Sequence, residues 1–147
     1  MALLFSGCFY HSTLIELAPS PDTAAELTRP EIDRATQIVA GIMSERGLLP
    51  SSSGVEDLSR TEDEWEEFIL AAYWTGTEAA TDNRVVVSVL LHKETGRYRV
   101  LIRDLDSAGG SDFTNALEKS LTDAFSEAFP SKSIQVERKT VGPALGP

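Results

Sequence analysis

The hydrophobic pattern from Arg84 to Asp104, RVVVSVLLHKETGRYRVLIRD, alternates as β-strands do on either side of a turn. Lys93-Glu94-Thr95-Gly96 can close a type I turn, because Gly96 takes a positive φ at no steric cost. With Leu91 opposite Tyr98, Val89 meets Val100 and Val87 meets Ile102, so one side of the hairpin is an unbroken set of β-branched and aromatic pairs. The other side mixes Val86, Ser88, Leu90, His92 and Leu101 with Arg97, Arg99 and Arg103. One dry and one wet face is the pattern of an antiparallel sheet.

Helical spacing marks two further elements. Thr28 and Glu31 form a capping box, Pro30 sits in the first turn, and Gly47 supplies a left-handed stop. Between them Ile32, Ala35, Ile38, Val39 and Ile42 make one apolar stripe with Met43 at its edge. Ser111 or Asp112 caps a second helix with the stripe Phe113, Leu117, Leu121, Ala124, Phe125 and Ala128, and Pro130 ends it. Ile134 and Val136 alternate with Gln135 and Glu137 in a last strand. From Thr61 to Gly76, Trp65, Phe68, Ile69, Ala72 and Tyr73 fit a helical stripe, while the aromatic and β-branched residues of Phe68 to Thr75 favour a strand beside the hairpin. The strand is preferred because it covers an open sheet edge. These elements predict an α+β fold of order α-β-β-β-α-β, a mostly antiparallel four-stranded sheet with two amphipathic helices on its dry face. The expected divisions are a leader, tether or N-terminal strand over residues 1–27, one domain over 28–140 and a tail over 141–147.

Composition narrows the partners. The chain has 147 residues, enough for one core without disulfides or metal. With 23 acidic against 13 basic side chains it carries a net charge of −10, which repels phosphate backbones, so nucleic acid is not expected. The single cysteine, Cys8, cannot form an internal disulfide. No apolar run reaches the roughly 18 residues of a membrane-spanning helix.

Leu4-Phe5-Ser6-Gly7-Cys8 resembles the lipobox of bacterial lipoproteins, in which an apolar residue and two small residues precede a cysteine that is acylated and becomes the new N-terminus. The resemblance covers these five residues, with only Met1 to Leu4 upstream where a signal peptide carries an apolar region of about 7–15 residues. It implies lipidation at Cys8, a membrane attachment through that lipid, and a place in the cell envelope facing the periplasm. Ala18-Pro19-Ser20-Pro21-Asp22 then has the composition of a tether. The alternative is an apolar strand from Leu3 to Tyr10 with Cys8 as a buried thiol.

Candidate chemistry is sparse. Arg97, Arg99 and Arg103 share one face, joined by His92, and with Trp74 are the candidate partner-binding residues; a solvated face that resists aggregation is the plainer reading of the arginines. Trp65, Tyr73 and Trp74 are equally suited to a core or its rim. Asp104-Leu105-Asp106-Ser107-Ala108-Gly109 with Asp112 has part of the spacing of a calcium loop, but Ala108 and Asn115 stand where ligands are needed, so a strand end and a helix cap account for it better. His11 and His92 lie in no recognised catalytic motif, and no metal or other cofactor is expected. The sequence thus points to a non-enzymatic binding or assembly domain with a protein partner, anchored at the envelope. The alternative is a small acidic cytoplasmic inhibitor, of the immunity type, that binds a basic partner.

Overall fold

The computed structural model describes residues 9–18, 27–51, 68–92 and 97–141. In chain order these form β1 (Tyr10–Ala18), α1 (Arg29–Glu45), β2 (Leu49–Pro50), β3 (Phe68–Thr77), β4 (Arg84–His92), β5 (Tyr98–Asp104), α2 (Asp112–Ala128) and β6 (Ser133–Val141). The six strands make one antiparallel sheet in the order β2-β3-β4-β5-β1-β6. The α+β class is as expected, but the sheet has six strands where four were predicted. The two additional strands are β2, which pairs two residues with β3, and β1, which lies between β5 and β6.

The β4-β5 register pairs Leu91 with Tyr98, Val89 with Val100 and Val87 with Ile102, as the hydrophobic pattern requires. The turn itself, Lys93 to Gly96, lies outside the described residues. Residues Phe68–Thr77 are strand, and an irregularity between Leu70 and Ala72 shifts their register with β4. That extra residue puts Leu70 and Tyr73 on the same face, opposite Leu90 and Ser88, and so breaks the alternation that would have marked the strand in the sequence.

Both helices cover the face built from Ile15, Leu17, Val85, Val87, Val89, Tyr98, Val100 and Ile102. Thr28 caps α1 through the predicted box with Glu31, and Gly47 follows the helix at φ +80°. Its buried line is Ala35, Val39 and Met43, with Ile32, Ile38 and Ile42 partly buried beside it, so Met43 is at the centre of the stripe and not its edge. Ser111 caps α2, which buries Thr114, Leu117, Leu121 and Phe125. The helices meet over Tyr98: its ring packs edge-on against Phe125 at 6.2 Å, and its hydroxyl is 3.0 Å from Thr36 Oγ1. Burial holds that phenol above its ordinary pKa, with the Thr36 hydroxyl pulling weakly the other way.

The second face is not wet across its width. Val86, Ser88, Leu90 and Leu101 are buried, and Arg103 is 1% exposed. Leu90 and Leu101 pack with Leu14 and Leu70, and Val86 and Tyr73 with Leu70 and Leu105. The expectation of a solvated face fails over β3, β4 and β5 because their second-face positions are mostly apolar and gather with Leu14 of β1. No helix among the described residues is long and apolar enough to cross a membrane.

The stretch read as a tether joins β1 to α1, two elements packed in the same core. It therefore does not separate Cys8 from the domain. Cys8 and the lipobox-like residues lie outside the described residues, as do residues 52–67, Trp65 among them, and the tail beyond Val141.

Candidate functional site

The polar part of the second face is the strip over β5, β1 and β6. Pairing on both sides of β1 sets its rows: Glu16 lies between Arg99 and Gln135, Leu14 between Leu101 and Glu137, and Ser12 between Arg103 and Lys139. Alternation along β1 sends Ile15 and Leu17 into the main core and leaves Leu14 and Glu16 on this strip.

Glu16 is 5% exposed, and two guanidinium groups hold it there. Arg97 donates from Nη2 to Oε1, and Arg99 donates from Nε to Oε2 at 2.6 Å. The three side chains differ in access to water. Arg97 is 42% exposed and Arg99 16%, against 6% for the side chain of Glu16, so the arginines carry the charge from the interior to the surface. Burial raises the Glu16 carboxyl pKa, but the bonds from Arg97 and Arg99 outweigh it and hold the group below the ordinary glutamate value. Beside them a depression of about 180 Å³ is lined by Leu14, Glu16, Arg97, Arg99, Gln135, Val136 and Glu137. Two basic and two acidic side chains balance there, so the hollow offers polar contacts without a strong net field.

The wall of this hollow is β6, the outermost strand of the sheet. Its nine residues pair with β1, and among the described residues no strand pairs with its other edge. Gln135, Val136, Glu137, Arg138, Lys139 and Thr140 are all exposed, Val136 to 37%. Arg138 is fixed on the helix side by Nε donating to Glu118 of α2 at 2.6 Å.

Of the residues named from sequence, Arg97, Arg99 and Arg103 do share a face, and the first two converge on one carboxylate. Arg103 is buried and so is not a surface contact. Trp74 is not with them. It faces Val87 in the main core, on the opposite side of the sheet, and is 6% exposed. Tyr73 faces the second side, where the Ser51 hydroxyl donates to its oxygen at 3.1 Å. Sequence reading missed Glu16, which organises the arginines; the alternation Leu14, Ile15, Glu16, Leu17 was the available signal.

Of the oxygens that resembled part of a calcium loop, those of Asp106 are engaged by Arg84. Arg84 clamps Asp106 at 2.8 and 3.0 Å and holds its carboxyl down to about 2, while Asp104 is wholly buried. Among the described residues no group of three or more His, Cys, Asp or Glu side chains is placed to hold a metal ion. Comparison with protein-family models finds no match, and comparison with curated proteins finds none either.

Proposed function

We propose that this protein is a non-enzymatic protein-binding domain that takes an extended segment of its partner alongside β6. The observation that carries the reading is that β6, nine residues long and exposed from Gln135 to Thr140, forms the outer edge of the sheet. An open edge presents a row of backbone donors and acceptors that a second extended chain can match, while hollows beside it sort the alternate side chains of the added strand. The hollow over Leu14 and Glu16 lies one strand inward of that edge, within reach of a long side chain from the added strand. The net charge of −10 favours a partner that is basic overall, through faster encounter.

A photo-crosslinking residue placed at Val136 tests this in the native host, with one at the exposed Asp33 of α1 as control. The expected result is one discrete adduct from position 136 and none from 33, with the β6 amides protected from hydrogen exchange when the captured partner is added back. Adducts of equal yield from both positions, or none from 136, would overturn the reading.

A further inference from the structure

We propose that in the free protein two copies of this chain pair through their β6 strands, antiparallel about a twofold axis at Val136, so that each copy covers the other's open edge until a partner segment displaces it. This state rests on the reading of β6 as a binding edge. The two edges of the sheet are built differently. β2 is two residues long and ends in Pro50, a short edge with a proline of the kind that discourages pairing. β6 is nine residues long, SIQVERKTV, and holds no proline. Its helix side is open too, since the side chains of Val136 and Arg138 are both exposed there.

Symmetry and charge select the register. Directly opposed residues of an antiparallel pair share a face, so a twofold axis normal to the sheet must pass through one residue and its own counterpart. Ile134, Val136 and Arg138 lie on the helix side of β6; Gln135, Glu137 and Lys139 lie on the second face, in rows with Glu16, Leu14 and Ser12. An axis at Glu137 sets two carboxylates opposite each other, and an axis at Arg138 sets two guanidinium groups opposite each other; both are unfavourable. An axis at Gln135 engages only residues 133–137 of each strand. The axis at Val136 engages residues 133–139 and opposes like charges nowhere.

In that register Val136 meets Val136 of the second copy, which covers the exposed apolar side chain of the strand at the centre of the contact. Gln135 meets Glu137, where an amide donates to a carboxylate, and Ile134 meets the apolar stem of Arg138. Thr140 stays outside the pairing, and its Oγ1 already donates to Ala108 O of the β5-α2 loop at 2.7 Å. One strand pair is a small contact, in the class of weak, transient interfaces. Each copy carries a charge of −10, so long-range repulsion opposes the pairing and salt, which screens it, tightens the dimer. A basic partner shows the opposite dependence and displaces the second copy most readily at low ionic strength.

Sedimentation equilibrium of the purified chain, from about 10 μM to about 1 mM to cover a weak contact, should show the mass rising from 16.0 kDa towards twice that value. The rise should come at lower protein concentration in about 0.5 M salt than in about 0.05 M. Val136→Lys, which opposes two ammonium groups at the axis, should hold the mass at 16.0 kDa. In a Cys8→Ser background, oxidation of Val136→Cys should join two copies, because opposed Cα atoms about 4.5–5.5 Å apart suit a disulfide. Lys139→Cys, set about 20 Å from its counterpart, should not join them. A parent that stays at 16.0 kDa throughout, a dimer that survives Val136→Lys, or equal joining at 136 and 139 would refute the pairing. If the parent stays monomeric while position 136 captures a different protein in the host, the dimer alone falls and the partner reading stands; a monomeric chain that captures nothing there fails both.

Discussion

A carboxylate buried as deeply as Glu16 is stable only while both guanidinium groups stay on it. Removing the carboxylate leaves Arg99, 16% exposed, as the poorly compensated charge, whereas Arg97 at 42% can turn to water. Glu16→Gln should therefore destabilise the fold by about 2–4 kcal/mol in denaturant unfolding at neutral pH. Arg97→Ala should cost less than Arg99→Ala. Because the Glu16 carboxyl is held below 4.5 in the fold, its contribution is present above that value and is lost as pH falls through the lower, folded one. The stability curves of the parent and Glu16→Gln should accordingly converge in strong acid and differ fully at neutral pH. A constant difference across that range would mean that lost packing, not charge, accounts for the cost. The arginines were legible in the sequence because they alternate with Tyr98, Val100 and Ile102. Their carboxylate was not, because it comes from a strand more than 80 residues away along the chain, and nothing local in LIEL names its neighbours.

Helices carry their own boundary marks, and strands borrow theirs from neighbours. That difference decides which elements could be read in advance. The capping boxes at Thr28 with Glu31 and at Ser111 with Thr114 lie within four residues of backbone, and α1 and α2 begin where those marks stand. In α2 the Ser111 hydroxyl accepts from Thr114 N at 3.1 Å, and Thr114 Oγ1 accepts from Ser111 N at 3.0 Å. Ser111→Ala removes half of this reciprocal pair and should cost about 1 kcal/mol. Thr114→Ala should cost at least as much, since Thr114 is 1% exposed and its Oγ1 holds the other half. Thermal unfolding of the two variants checks the ordering; an unchanged melting temperature for both would mean the cap contributes nothing to the fold. The strands show the opposite case. β4 and β5 were legible because they are adjacent in sequence and pair in the register their alternation dictates. The second face of the sheet was misread, because Val86, Leu90 and Leu101 were judged beside the arginines of their own hairpin, whereas their packing partners Leu14, Leu70 and Leu105 come from outside it.

At the scale of the whole molecule the decisive fact is that the sheet is closed by its first strand. β1 pairs along seven residues with β5 and along nine with β6, and Tyr10 stands opposite Val141. Without β1 the last strand has no neighbour, Tyr98 and Val100 lose Leu17 and Ile15, and the Glu16 hollow has no floor. The sequence alone drew the main domain from about Thr28 and left residues 1–27 open between a signal or tether and an N-terminal strand, since the proline and acidic content after Ala18 suited a tether. Composition describes that segment's solubility but not what precedes it, and the contacts of β1 are among the most distant along the chain. A chain shortened to begin at Thr28 should therefore show no cooperative unfolding transition and should lose its near-ultraviolet circular dichroism, although α1 and α2 keep their caps. Helices of 17 residues without a packed face are marginal in water, so residual helicity should be weak as well. If that shortened chain instead unfolds cooperatively, with a denaturant dependence close to the parent's, β1 would be an appendage of a self-sufficient four-stranded core. β6 would then be held by α2, and the open edge of the sheet would be β5.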